Sequence, residues 1–308
     1  MGEQFSRYLD QTNGTNIRAI HSRSASKGRA FASRHSAVAS YDDLAEMLKN
    51  ETGKLDVIYV ATPAATHYSI ARQCLDAGFN VLCEKPLCES ADEVRDLFSL
   101  ADSRGVQLFE GMWSACLPTY AQAREWVNEG RVGDVHRVEA SILKSQQGAE
   151  RSCLFDFGAY ALAFAVIFLN GSPRRVRGAV RRDELGVDRA WHIEIEDVTG
   201  AVARLRLSTL DAGDSEARIV GEAGTVRVPA QFNRSNAVEL LDSSGCVVET
   251  RSFKYRHSGF EYEIADVVSA VRNGTKTALN RQVTLGTATL LGVLSSVGEG
   301  DFSGEVPY

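Results

Sequence analysis

None of the six cysteines in the 308-residue chain forms a CxxC pair, and none stands with histidine at the spacing of a zinc site. No metal is therefore expected. Cys74, Cys83, Cys88, Cys116, Cys153 and Cys246 also belong to a chain far longer than a disulfide-stapled secreted domain, so they read as reduced thiols in a cytoplasmic protein. Basic residues are not massed anywhere and the formal net charge is −6, which excludes the electrostatic footprint of a nucleic-acid partner. Long apolar runs are lacking as well. The longest, Phe157 to Leu169, is broken by Gly158 and is too short for the ~30 Å of a hydrocarbon core. No cationic stretch leading into an apolar one opens the chain, so no secretion signal is expected, and there are neither repeats nor low-complexity linkers. Small molecules and further copies of the chain remain as partners.

What is present suits a globular protein of two domains, with 44% hydrophobic residues. The first part alternates helical and strand patterns: Phe5, Tyr8 and Leu9 on one helical face, a turn at Asn13-Gly14, a strand Ile17 to His21, and a helix Ala25 to His35. Ser40 with Asp43 forms an N-cap pair before Leu44, and Asp56 to Ala61 is a continuous apolar strand. A helix from about Thr66 stops at Gly78 and leads into Val81-Leu82-Cys83; Ser90 and Glu93 make a capping box for a helix that Gly105 ends; Val106 to Glu110 is a further strand. Strand, helix and strand joined by short connections predict a doubly wound parallel sheet over residues 1–115. From Gly133 alternation of period two dominates, with helices near Phe155 to Leu169, Glu261 to Arg272 and Thr284 to Ser296. That predicts an α+β domain over 116–308 on a mostly antiparallel open sheet.

Within this frame Asn80 to Cys88, NVLCEKPLC, places a carboxylate, an amine and a proline at the end of an apolar strand. Pro86 has no N–H for a ladder, so the strand stops, and the X-Pro bond keeps Lys85 out of the helical region. Ligands of open α/β sheets bind at this carboxyl edge. A lysine at a strand end is, taken alone, an ordinary solvated residue.

The segments ATPAATH (61–67), DAGFNVLCEKPL (76–87), EGMW (110–113), FDFGAY (155–160) and GFEYEIADVVSAVRNG (259–274) together resemble the glucose-fructose oxidoreductase / inositol dehydrogenase family, with EGMWS most similar to its dihydrodiol dehydrogenase branch. The resemblance implies a Rossmann domain, hydride transfer between a nicotinamide and a secondary alcohol or ketone of a sugar, cyclitol or dihydrodiol, and homodimers or homotetramers through the C-terminal sheet. It puts Lys85 at the catalytic centre, Tyr160 as acid/base and Asp156 as the residue that orients them. It puts Gly2, Thr62, Pro63, His67, Glu84, Lys85 and Trp113 at the cofactor. Proton exchange beside the carbinol is a requirement of the chemistry in any case. Tyr160 could instead be a core tyrosine satisfied by Asp156 four residues before it, which leaves the accompanying EKP unexplained, and His67 could simply open a helix.

An acidic residue at the end of the second Rossmann strand holds the ribose of NAD. In AIHSRS (19–24) Ser22 occupies that place, with Arg23 beside it and Lys27 following, a set suited to a 2′-phosphate. NADP(H) is therefore favoured, with NAD(H) left open and Arg23 on a solvated loop as the plainer reading. The chain departs from the family at its start: the first strand and nearly all of a GxGxxG turn have no counterpart, and Gly2 stands where the last glycine would. The strands at Ile17 and Asp56 should then border a gap. Either the coding sequence begins upstream, which the presence of Lys85, Asp156 and Tyr160 favours, or the chain is a shortened, non-catalytic member that senses a ligand or partners another protein. Glycoside hydrolysis on this fold is a third class whose motifs are not found. Ala115 and Cys116 replace an expected Arg and aromatic, and SQQGAERSCLF (145–155) is shorter than the expected loop.

Overall fold

The computed structural model describes all residues except Met1, Asp10, Gln11, Asn13, 147–151 and Tyr308. Asn13 of the expected turn, and the middle of the 145–155 loop, thus lie outside the described residues. The chain opens with α1 (Gly2–Leu9), β1 (Ala19–His21), α2 (Ala25–Arg34), β2 (Ala39–Tyr41), α3 (Leu44–Asn50) and β3 (Ile58–Val60). A short 3-10 turn (Ala64–Thr66) precedes α4 (His67–Asp76), followed by β4 (Val81–Glu84), α5 (Ala91–Arg104) and β5 (Leu108–Gly111). Helix starts follow local chemistry. The Ser24 side chain accepts from the Lys27 N–H, and the Asp43 carboxylate accepts from the Glu46 N–H at 2.7 Å. Ser40 is not part of that cap: it lies in β2, a strand too short and too little buried to show in the pattern. Gly78 and Gly105 end their helices with positive φ, as expected.

All pairings here are parallel, but they form two separate sheets, β1-β2 and β3-β4-β5. Among the described residues β1 and β3 do not pair with each other. Instead residues 17–22 and 56–62 line one cleft of about 650 Å³, together with Phe5 of α1. The border expected between these two strands is therefore real, because parallel ladders leave half of an edge strand's backbone groups pointing away from the single neighbour.

Later elements are α6 (Pro118–Asn128), β6 (Val135–Leu143), a π-helical turn (Leu154–Gly158), α7 (Ala159–Phe168), β7 (Pro173–Arg182), β8 (Asp188–Asp197), β9 (Val202–Ser208), β10 (Ala217–Gly221), β11 (Gly224–Val228), β12 (Ala237–Asp242), β13 (Val247–Ser252), α8 (Phe260–Asn273), α9 (Arg281–Ser295) and β14 (Gly300–Glu305). Helix α6 and strand β14 were not expected. Nine strands make one sheet in the order β13-β12-β11-β10-β6-β9-β8-β7-β14, antiparallel except for the β6–β9 pair. One face, with Val138, Ile193, Leu205 and Ile219, is buried, and α6 and α7 pack on the sheet. On the other face the register aligns Arg177, Glu194, Arg204, Glu139 and Arg218 across five strands, an alternation of charge in which opposite signs stand side by side.

Two compact units result. Residues 1–88, 92–113 and 256–278 form the first, and 89–91, 114–255 and 279–308 the second. Helix α8 counts with the first, although it follows the second unit's sheet along the chain. It carries an unusual acid. Glu263 is fully buried, neither carboxyl oxygen has a hydrogen-bond partner, and burial with Glu84, Asp266 and Glu110 nearby pushes its pKa well above the ordinary 4.5. A carboxyl of this kind keeps its proton in the folded chain after the unfolded chain has released it, so stability falls as pH rises above that ordinary value. Glu263→Gln is neutral at every pH. Its thermal midpoint should exceed that of the wild type at about pH 8 and converge with it at about pH 4; parallel curves at both would refute the assignment.

Candidate active site

Strand β4 is buried at all four residues, and burial continues through Pro86, Leu87 and Cys88, so that Lys85 alone in Val81–Cys88 reaches partial exposure. The Lys85–Pro86 bond is cis. Three side chains brace this turn. His67, at the start of α4, sets Nδ1 2.9 Å from the Pro86 carbonyl and Nε2 2.9 Å from the Thr62 carbonyl. The Leu87 N–H donates to Oε1 of Glu110 at 2.9 Å. The Tyr59 hydroxyl donates to Oε1 of Glu84, a carboxyl whose pKa burial raises although that bond and Lys85 oppose the shift. Gly111 lets β5 come this close: a Cβ there would lie 3.2 Å from both the Cys83 carbonyl and Glu84 Cα.

His67 is thus a strut between two turns, with both ring nitrogens taken by backbone. The sequence reading did not single out Tyr59, and it quoted Glu110 only within a motif. A carboxylate closing an apolar strand was the available signal for Glu110; nothing local marked Tyr59, whose partner is 25 residues away.

The other cofactor candidates separate into two groups. Gly2, Ser22, Lys27 and Thr62 all line the cleft beside β1 and β3. Arg23, next to Ser22, is exposed, and Pro63 leads into the 3-10 turn before α4. The Ser22 hydroxyl and the Lys27 ammonium, which line this cleft after β1, can hold a phosphate group, so the residues present fit a dinucleotide. Trp113 instead is buried, stacked on Phe260 with centroids 4.9 Å apart.

Lys85 belongs to the first unit; Asp156 and Tyr160 belong to the second. The sequence pattern anticipated a plain helix around these two, but Leu154–Gly158 is a π-helical turn and α7 follows it. The Ser152 hydroxyl accepts the Phe155 N–H at 3.2 Å and the Ser152 carbonyl accepts the Asp156 N–H at 3.1 Å. Gly158 keeps the packing close: a Cβ there would stand 3.0 Å from Cδ1 of both Leu154 and Leu207, which would have to shift to admit it. Asp156 is half-buried and Tyr160 is buried. Burial pushes the neighbouring Cys153 thiol up to about 12, with Asp188 and Asp156 adding to the effect, so it is no nucleophile. Ala115 is buried and Cys116 half-buried in the 3-10 turn Trp113–Cys116. Among the described residues no group of three His, Cys, Asp or Glu is placed to hold a metal ion, and no helix is long and apolar enough to cross a membrane.

A parallel-sheet unit with a lysine at a strand's carboxyl end and a second unit built on an open sheet define a class: residues 1–112 match the model of an oxidoreductase family with an NAD-binding Rossmann fold, and residues 120–227 match the GFO/IDH/MocA C-terminal domain. The chain belongs to this GFO/IDH/MocA family and is an NAD(P)-dependent oxidoreductase by that membership. Trans-1,2-dihydrobenzene-1,2-diol dehydrogenase of Xenopus tropicalis is 29% identical over 223 residues, which cover 70% of this chain and 67% of that protein. The scyllo-inositol 2-dehydrogenase (NADP+) IolU of Bacillus subtilis is 30% identical over 245 residues, 74% of this chain and 73% of its own length. In fold, KijD10, a 3-ketoreductase from Actinomadura kijaniata solved with NADP, is similar with a TM-score of 0.81 over 94% of this chain and 92% of that one, at 23% identity.

The strut role of His67 can be measured. His67→Ala removes the ring that stands 2.9 Å from both the Pro86 and Thr62 carbonyls, leaves at least one of them without its donor, and should cost about 1–3 kcal/mol in chemical denaturation, with faster amide exchange at Leu87, whose bond to Glu110 depends on the turn. Unchanged exchange there would remove His67 from the bracing of Lys85.

Proposed function

We infer that the protein is an NADP(H)-preferring dehydrogenase that interconverts a secondary alcohol and its ketone in a sugar, cyclitol or dihydrodiol. One observation carries the reading: Lys85 is the single partly exposed residue in a buried stretch at the carboxyl end of a parallel strand, in a turn braced by His67 and Glu110. The relatives' printed activities, on a dihydrobenzene diol and on scyllo-inositol, support the substrate class.

A bound nicotinamide supplies or accepts the hydride in such a reaction. The chain's own residues manage the proton. Tyr160 exchanges it with the substrate hydroxyl, Lys85 favours the ionised phenol electrostatically, and Asp156 fixes their geometry. Ser22 and Lys27, with Arg23 beside them, hold the 2′-phosphate, and the absence of a carboxylate at Ser22 supports NADP(H) over NAD(H). Thr62 and Gly2 line the same cleft. The charged face of the nine-stranded sheet, where facing rows of opposite sign suit a second copy, supports a homodimer or homotetramer.

The test is a titration of NADPH and NADH into the purified chain, followed by cofactor fluorescence, and then turnover of a diol and polyol panel with NADP+. NADPH should bind more tightly than NADH, and Ser22→Asp should reverse the order. Tyr160→Phe should lower kcat by about 10²–10⁴-fold, as loss of a general acid/base does, and Lys85→Met should do likewise with cofactor binding retained. Equal affinity for the two cofactors would overturn the NADP(H) preference. Wild-type turnover by Lys85→Met would overturn the catalytic assignment.

A further inference from the structure

In the second unit one buried carboxylate is committed to the turn that carries Asp156. Asp188, the first residue of β8, is 5% exposed, and its Oδ2 accepts two hydrogen bonds: the Leu154 N–H at 2.8 Å and the Trp191 indole N–H at 2.6 Å. Leu154 opens the π-helical turn, where the first N–H groups have no partner within the turn itself. The charge comes from a strand 34 residues further along, so this is a cap supplied by tertiary structure. The acceptor is itself held firmly. Trp191 is buried, meets Phe302 edge-on with centroids 5.9 Å apart, and lies under the Arg182 guanidinium at 5.9 Å. Arg189, adjacent in sequence, is paired with Asp183.

We propose that Asp188 is a positioning residue, which sets the turn bearing Asp156 and the following helix bearing Tyr160 through its bonds to Leu154 and Trp191. The proposal rests on the reading of Tyr160 as the proton-exchanging group. A hydrogen bond to a carboxylate is about twice as strong as one to a neutral amide, and a reacting group misplaced by about 1 Å can lose 100-fold in rate. A strand residue that never meets substrate thereby sets the rate of the chemistry.

Strand β8 provides its own control. Asp197, at the opposite end, is fully buried and likewise accepts backbone N–H groups, from Thr199 and Ala201 in the turn after β8 and from Gly171 in the connection between α7 and β7, none of them in the π-helical turn that bears Asp156. In protein carrying 13C-labelled tyrosine, with the Tyr160 resonance assigned through Tyr160→Phe, Asp188→Asn should displace the Tyr160 titration midpoint. Where a polyol is turned over, it should also lower kcat by at least about tenfold with the KM for NADP+ unchanged. Asp188→Glu keeps the charge but shifts it by a methylene, and should show the same loss. Trp191→Phe leaves the charge in place with only Leu154 bonded, and should give a smaller displacement. Asp197→Asn should lower the thermal midpoint while leaving the Tyr160 titration and kcat untouched.

An unmoved Tyr160 midpoint in Asp188→Asn, an equal shift in Asp197→Asn, or full restoration by Asp188→Glu would each overturn the proposal. Wild-type turnover by Tyr160→Phe would instead remove the catalytic reading of that tyrosine, and the titration comparison would still decide whether Asp188 sets the turn.

Discussion

The strongest constraint in the first unit is the need to satisfy backbone groups where a fully buried parallel strand ends. A strand that stops inside protein leaves carbonyl and N–H groups with no ladder partner and no water, and each such group is costly unless paired. At Lys85–Leu87 the pairing is done by side chains from other elements, His67 from α4 and Glu110 from β5. The same arrangement that removes this penalty holds the lysine at the carboxyl edge of the sheet. The hydrogen bonds that satisfy this turn are therefore the ones that set where the Lys85 backbone stands.

Buried acids give the first unit its chemical character. Glu84 is tied to Tyr59, Glu110 to the Leu87 N–H, and Glu263, buried and close enough to feel both, has no hydrogen-bonding partner among the described residues. Desolvation raises the pKa of Glu84 and Glu263, and for Glu263 the nearby carboxyls of Glu84, Asp266 and Glu110 add to the shift. The cleft lined by β1 and β3 holds Ser22 and Lys27 and reaches these acids through Tyr59, whereas Glu84 ends β4, Glu110 lies in β5 and Glu263 in α8.

The second unit solves a different problem. A broad sheet with one buried face must keep its other face in water or against another surface, and alternation of Arg and Glu along aligned rows does so without a large field of one sign. Its buried face supports α7, which carries Tyr160, and Asp156 lies in the π-helical turn before that helix. Lys85 and Asp156 thus both stand where a regular element begins or ends and its backbone groups need outside partners.

Much of this architecture follows from sequence alone, because its signals are local. The apolar runs at Asp56 to Ala61 and Val81 to Cys83, the helix-ending glycines at 78 and 105, the Asp43 cap and the period-two segments after Gly133 each report a short-range preference, and the Lys85-Pro86 stop is legible for the same reason. The family resemblance then pointed to Lys85, Asp156 and Tyr160. The tertiary structure alone decided what joins residues far apart in the chain. It paired His67 with Pro86 and Tyr59 with Glu84, moved Ser40 from a cap into a strand, turned the start of a helix at Leu154 into a π-helical turn held by Asp188, and grouped α8 with the first unit. Propensity and periodicity act over a few residues, whereas a buried hydrogen bond depends on which distant group arrives to meet it, and that is set only when the whole chain has packed.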